Sequence, residues 1–311
     1  MSLMRTALIA LSRNHALQDL IVRVPVSRRM ARRFVAGEAL DDAIAAVKEL
    51  DTQGMLATFD HLGENVSNVA AATVAADEYL IALDALNAAE ARCNVSVKLT
   101  QMGLDLGEEF CYTNVARIVR KAADLGNFVR VDMEGSPYTS RTIAVYRRLR
   151  ATYDNTGIVI QAYLHRSQAD VETLIDEGIG HFRLCKGAYD EPATIAYRER
   201  PRVTQALNDL TRTCLEPGAR AKGAYAAIAS HDEEAIDYAR AYAYQHAIPP
   251  TAYEFQMLYG IRRELQTALV RQGYQVRIYV PYGMHWYPYF MRRLAERPAN
   301  LLFFLRALVG D

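Results

Sequence analysis

The chain has 311 residues, 51% of them hydrophobic, and its 36 lysines and arginines balance 36 aspartates and glutamates. That apolar content suffices for a packed core, and the length suits one barrel-sized domain of about 250 residues plus a small extension better than two full domains. The balanced charge removes the electrostatic case for nucleic acid as a partner, no apolar run approaches the roughly 18 residues of a membrane span, and Cys93, Cys111, Cys185 and Cys214 show neither CxxC nor zinc-ribbon spacing, so they read as reduced intracellular thiols.

Residues 1–52 read as a helical extension, with helices expected over about 3–19, 26–35 and 39–51. The patch TALIAL is too short for a signal-peptide core, and no small-residue cleavage site follows it. Segment 21–34, IVRVPVSRRMARRF, is basic and apolar by turns and reads as a solvated helix face, with a membrane-surface helix as the alternative. From residue 53 to 311 β-rich runs alternate with helical patterns. The expected strands are MLATFDHL (55–62), VSVKLTQM (95–102), FVRVDME (128–134), IVIQAYLH (158–165), HFRLCKG (181–187), AYAAIASH (224–231), AYEFQMLY (252–259) and VRIYVPYG (276–283). Helical patterns lie between them, among them 66–90, 109–125, 138–153, 232–245 and 261–272. Strand and helix alternating eight times argue for an α/β fold with a closed parallel barrel.

In such a barrel the site sits at the carboxyl ends of the strands. Those ends deliver Asp60, His61 and Glu64; Lys98 and Gln101; Asp132 and Glu134; Gln161 and His165; Arg183 and Lys186; Ser230, His231 and Asp232; Gln256 and Tyr259; Tyr279 and Tyr282. Every strand exit carries a polar or ionisable group, and the entrances show no such concentration. His61, His165, His231 and His285 lie near exits, but DHLGE after the first strand holds a single histidine where a metal-dependent barrel hydrolase wants a His-x-His pair. A Schiff-base enzyme needs a lysine inside the barrel; Lys98 and Lys186 qualify by position, though both read more readily as counter-charges. No Gly-x-Gly-x-x-Gly follows a strand; GIGHFR (178–183) precedes one and ends in Arg183. KGAY (186–189) offers a glycine for close backbone approach and a lysine for phosphate. Beside Gln161, Arg183 and His231 it suggests a phosphate-bearing cofactor across strands four to six.

The stretch 279–297, YVPYGMHWYPYFMRRLAER, opens as a strand, turns at Pro281–Gly283 and restarts as a helix near Pro288. Tyr289, Arg292, Arg293 and Glu296 fall at i, i+3, i+4 and i+7 and share one helical face. Paired guanidiniums match the two oxygens of a carboxylate. The bland alternative is a wet amphipathic helix with one intrahelical Arg–Glu pair.

These motifs resemble the proline dehydrogenases, flavin-dependent enzymes of proline catabolism, most closely the short monofunctional bacterial members, and also the proline dehydrogenase domain of proline utilization A. The resemblance runs from about residue 55 to 308 and rests on Tyr-x-x-Arg-Arg-x-x-Glu at 289–296, with SVKLTQMG, VRVDME, IQAYLHRS, RLCKGAY, SHD and EFQMLYG in support. It implies a distorted (βα)8 TIM barrel whose last helix lies over the mouth. It implies that Arg292, Arg293 and Lys98 bind the proline carboxylate, that Tyr279 and Tyr289 pack the ring with Leu258 as an apolar wall, and that Glu64 closes the site by pairing with Arg292. Asp132 would lie beside the flavin and near the amine, paired with Arg183. Gln161 would meet the pyrimidine edge of the flavin; Lys186, Gly187, Ala188 and His231 would hold its ribityl–pyrophosphate region, and Glu296 belongs to the same cofactor set. Asp190 follows KGAY where many relatives have an aromatic, and 191–213 matches poorly, so no adenine contacts are carried over. The implied activity is FAD-dependent oxidation of L-proline to Δ1-pyrroline-5-carboxylate, with no metal. Electrons would pass to a membrane quinone from a cytoplasmic protein touching the membrane through its basic N-terminal helices, and an aldehyde dehydrogenase partner could take the product. Three cations around the carboxylate are expected to repel the ammonium proton. A metal- or lysine-dependent barrel hydrolase or lyase, and a non-catalytic carboxylate-binding barrel, are the alternatives.

Overall fold

A computed structural model describes residues 30–296, without the side chains of Ala295 and Glu296; the helix expected over 3–19 and most of that over 26–35 lie outside the described residues. Eight strands close a barrel in chain order: β1 (Leu56–His61), β2 (Cys93–Val97), β3 (Val129–Val131), β4 (Thr156–Gln161), β5 (His181–Cys185), β6 (Tyr225–Ala229), β7 (Tyr253–Leu258) and β8 (Val276–Tyr282). Neighbouring strands are parallel, and β1 pairs with β8 to seal the cylinder. Helices follow the strands: α1 (Leu40–Thr52) precedes β1, then come α2 (Val69–Ala88), α3 (Glu108–Asp124), α4 (Thr139–Arg150), α5 (Ser167–Asp176), α6 (Arg200–Leu215), α7 (Pro217–Ala221), α8 (Glu233–Gln245), α9 (Arg263–Arg271) and α10 (Trp286–Glu296). The fold is the expected (βα)8 barrel, with all eight expected strands in place.

Alternation along each strand sorts its side chains. Phe59, Val95, Val97, Val131, Ile158, Ile160, Phe182, Leu184, Ile228, Phe255, Ile278 and Val280 are buried in the main core with apolar residues of the surrounding helices. The intervening positions point into the barrel. Helix starts are set locally: the Asn68 side chain accepts the Ala71 N–H at 2.8 Å, and Asp232 caps α8 through Glu234.

Three differences from the sequence reading have physical causes. β2 ends at Val97 because the chain turns at once: Met102 N–H donates to Lys98 O at 3.1 Å, and Thr100 N–H donates to the Glu134 carboxylate at 3.0 Å instead of to a ladder. β4 starts earlier, at Thr156, and leaves the sheet after Gln161. Helices α5 and α6 have no bounds in the sequence reading. α5 is only 10 residues long, and the buried face of α6 includes Thr204, Asn208 and Thr211 among its leucines, which blurs the period.

A second apolar cluster sits apart from the main core. Met30, Ala31, Phe34 and Val35 pack with Leu62, Ile261 and the inner face of α10, including Trp286, Phe290 and Leu294. Trp286 Nε1–H donates to Glu38 at 2.9 Å, and Gly283 N–H donates to Gly37 O at 3.0 Å. Gly283 has φ +117°, and a Cβ there would lie 2.9 Å from the His61 ring, so the turn that swings α10 back across the barrel needs glycine.

Candidate active site

The barrel interior is polar where such interiors are commonly filled by Val, Ile and Leu. At the mouth Lys98 Nζ donates to Asp60 Oδ1 (2.6 Å), to the Tyr279 hydroxyl (3.1 Å) and to Asp132 Oδ2 (3.3 Å). The Tyr279 hydroxyl donates to Asp132 Oδ2 at 2.9 Å. One layer deeper, Arg183 Nη1 donates to Asp132 Oδ1 at 2.7 Å, Nη2 to Ser96 Oγ at 2.9 Å, and Nε to Gln256 Oε1. The Gln256 amide in turn donates to Glu254, which accepts from Arg277 Nε at 2.9 Å.

Burial works against the charge of Lys98, yet Asp60 first, then Tyr279 and Asp132, outweigh it and hold the ammonium well above the ordinary lysine value. Burial pushes the Tyr279 phenol well up, reinforced by Asp132 and Asp60. Glu254 is driven up by burial but pulled below the usual carboxylate range by Arg277. At the barrel floor Arg130 donates to the His181 carbonyl at 2.7 Å; burial and neighbouring Arg183 bring its guanidinium down to about 9. The strand entrances thus carry their own charges (Arg130 and Glu254 buried, Arg277 half-buried), which corrects the expectation that ionisable groups concentrate at the exits alone.

Helix α10 lies over the mouth. Arg292 reaches across to the β1 exit and makes a forked pair with Glu64, at 2.8 and 3.2 Å. Arg293 is 8% exposed and lies 5.1 Å from the centre of the Tyr289 ring, itself 5% exposed. The wet-helix alternative is therefore wrong: these side chains face protein, and Arg292 pairs across the mouth with Glu64. The Glu296 side chain lies outside the described residues. Leu258 and Tyr279 pack against the α10 cluster. The expected repulsion by three cations also needs correcting. Lys98 already faces Asp60 and Asp132, and Arg292 faces Glu64, so those charges are largely balanced.

The fourth to sixth exits have features that suit a flat cofactor with a phosphate chain. Gln161 is 3% exposed and donates to Met133 O at 3.1 Å, while its Oε1 has no hydrogen-bond partner. Gly187 has φ +108°, and a Cβ there would sit 2.3 Å from the Tyr163 ring, so the backbone lies against an aromatic with no room for a side chain. Lys186 bonds Thr204 Oγ1 at 2.6 Å and pairs with Asp232; Ala188 is exposed beside it. His231 Nε2 accepts the Leu258 N–H at 2.9 Å, which places the ring proton of the neutral form on Nδ1.

Sequence reasoning named Asp60 and Gln256 only as strand exits, and it missed Ser96, Glu254, Thr204 and Tyr189. Tyr189 follows Lys186–Ala188; burial raises its phenol, helped by Glu64 and Glu134. A signal existed for most of them. Thr58-x-Asp60, Ser96-x-Lys98, Arg130-x-Asp132, Glu254-x-Gln256 and Arg277-x-Tyr279 each place two polar groups on one strand face, an alternation that announces a polar interior.

A parallel barrel whose mouth holds buried ion pairs beneath an arginine-bearing helix defines a (βα)8-barrel protein with its site at the strand exits. The chain belongs to the proline dehydrogenase family, whose model, described as "Proline dehydrogenase", matches residues 43–306. It is 37% identical over 307 residues to "Proline dehydrogenase 1" of Bacillus subtilis, covering 99% of each chain. It is 40% identical over 285 residues to "Proline dehydrogenase" of Deinococcus radiodurans, covering 90% of each. Among solved structures it resembles proline utilization A from Bdellovibrio bacteriovorus inactivated by N-propargylglycine, with a TM-score of 0.81 at 28% identity over 87% of this chain. It spans 33% of that larger protein.

Proposed function

We infer that the protein oxidises L-proline to Δ1-pyrroline-5-carboxylate with FAD as the immediate electron acceptor and a membrane quinone as the final one. The observation that carries this reading is the cluster of cations at the mouth: Lys98 at the β2 exit bonds Asp132, which Arg183 holds from the other side, and Arg292 from α10, next to the buried Arg293, pairs with Glu64 beyond the β1 exit. Proline brings a carboxylate for the cations and a secondary amine for the aspartate. Arg292, Arg293 and Lys98 take the carboxylate; Tyr279 and Tyr289 flank the ring, and Leu258 supplies an apolar wall. Asp132 faces the amine.

Oxidation breaks a C–H bond at the ring carbon next to nitrogen, forms the C=N bond and releases the amine proton. A flavin, when bound, supplies the acceptor for the hydride. The residues fit such a group: Gln161 offers an unspent amide oxygen, Gly187 lets the turn after β5 pack directly on the Tyr163 ring, and Arg183, Lys186, Ala188, His231 and Glu296 complete the set expected to hold it. The work of the chain is to orient. Fixing the ring by its carboxylate removes most of the freedom that a bimolecular encounter would have to lose. The Glu64–Arg292 pair closes the mouth and limits water. Asp132, held by Arg183 and Tyr279, is the acceptor nearest the position assigned to the amine.

Electron transfer onward to a quinone implies contact with a membrane surface; no helix among the described residues is long and apolar enough to cross one. The product is an electrophilic imine that adds water and opens to an amino aldehyde, which suits hand-over to an aldehyde dehydrogenase partner. The decisive test is an absorption spectrum of the purified protein before and after anaerobic proline. A flavin band that bleaches supports the assignment, and a colourless protein, or a band that proline leaves unchanged, refutes it.

A further inference from the structure

Lys98 has three N–H bonds and three acceptors, and these are unequal. Asp60 Oδ1 is at 2.6 Å, the Tyr279 hydroxyl at 3.1 Å and Asp132 Oδ2 at 3.3 Å. Asp132 does not depend on Lys98, since Arg183 donates to its Oδ1 at 2.7 Å and Tyr279 to its Oδ2 at 2.9 Å. Asp60 does. It is 1% exposed, its Oδ1 is bound to Lys98, and its Oδ2 has no hydrogen-bond partner. A carboxylate entering the mouth therefore takes the Lys98 N–H now spent on the long contact to Asp132, and the Asp60 contact persists. A lysine this dry, without a counter-ion, tends to shed its proton and become a base or a nucleophile.

We propose that Asp60 is the permanent counter-ion of Lys98, fixing it as an ammonium that anchors the substrate carboxylate and barring it from proton-abstracting or covalent chemistry. The assignment rests on the reading above, in which Lys98 meets the proline carboxylate. It makes Asp60 a positioning residue that acts through Lys98. The other groups facing Lys98 do not replace it. Glu64 is engaged by Arg292, and Glu134 accepts two bonds from Thr100. Asp132 is shared with Arg183, whose positive charge opposes that of Lys98. Tyr79, His61 and Tyr189 also lie within electrostatic reach; Tyr79 donates to Ser96 O at 2.7 Å and His61 pairs with Glu78.

The test is Asp60→Asn in the holoenzyme, read in two ways. Cyanate carbamylates only neutral amines, so peptide mapping of Lys98 after cyanate treatment at pH 8 reports its protonation without turnover. Each unit by which the lysine pKa falls raises the neutral fraction about tenfold. Lys98 should be carbamylated at least about tenfold faster in the variant than in the native protein. The KM for proline in the variant should climb from pH 7 to pH 9.5 more steeply than in the native enzyme, while kcat follows the native profile. Equal labelling rates with superimposable KM profiles overturn the proposal. Should Asp60→Asn fail to fold, Lys98→Met is compared with the Lys98→Met/Asp60→Asn double variant by thermal denaturation. Removing a carboxylate stranded by loss of its lysine should raise Tm, and a double variant no more stable than Lys98→Met overturns the pairing. If proline fails to bleach the native flavin, the substrate assignment falls, while the cyanate arm still decides whether Asp60 holds Lys98 charged.

Discussion

Replacing Arg292 with Met is the sharpest probe of how the mouth grips its substrate. The side chain keeps a flexible apolar stem but loses the fork that meets Glu64 at 2.8 and 3.2 Å. Truncating one partner of a buried charge-paired contact costs about 2–5 kcal/mol. The lower end applies here, because Arg292 is 24% exposed and divides its donors between Glu64 and the substrate carboxylate, so part of its gain is already realised without substrate. About 2 kcal/mol corresponds to a rise of roughly 30-fold in KM. Flavin content should stay at the native level, since the residues assigned to the cofactor lie on β3 to β6 and their exits and at the end of α10. The assay is steady-state oxidation of proline with a dye acceptor, with the ratio of flavin to protein absorbance measured on the same sample. An unchanged KM, or a loss of flavin in step with a loss of activity, refutes the carboxylate assignment.

Other expectations follow from neighbouring residues. The Tyr279 ring is pinned by bonds to Lys98 and Asp132, so it leaves little room for a ring hydroxyl; kcat/KM for proline should exceed that for 4-hydroxyproline, and equal values would rule out this packing. Gly187→Ala forces a residue into positive φ against the Tyr163 ring, a strain of about 1–3 kcal/mol; flavin should be retained several-fold more weakly, measured by its release on dilution, and native retention would remove Gly187 from the cofactor set. Glu254 is pushed up by burial but held lower overall by Arg277, so its folded value lies below its unfolded one. Its contribution to stability is complete above the unfolded carboxylate value of about 4.3 and disappears as pH falls through the depressed value. Glu254→Gln strands Arg277 and should cost about 3–5 kcal/mol near neutrality; the deficit in Tm relative to the native protein should shrink below pH 4, and a deficit independent of pH would contradict the pairing.

The sequence by itself determined the repeat, the barrel and the helix that carries the paired arginines. Those features are written in local periods: two along a strand, and i, i+3, i+4, i+7 along α10. A period states which way a side chain faces relative to its own element, and that was enough to place Tyr289, Arg292 and Arg293 together. It does not state what the side chain meets. Only closure of the barrel decided that Lys98 meets Asp60, 38 residues away, and Tyr279, 181 residues away, or that Arg183 reaches both Ser96 and Gln256. Each of these partners sits on a different strand, and the register and curvature of the closed sheet bring them within bonding distance. The same closure turned an apparent excess of positive charge at the mouth into matched pairs. The physical reason is that backbone hydrogen bonding and local sterics fix the direction of a side chain within a few residues, whereas a buried charge finds its compensating partner only when distant strands have been drawn into one dry interior.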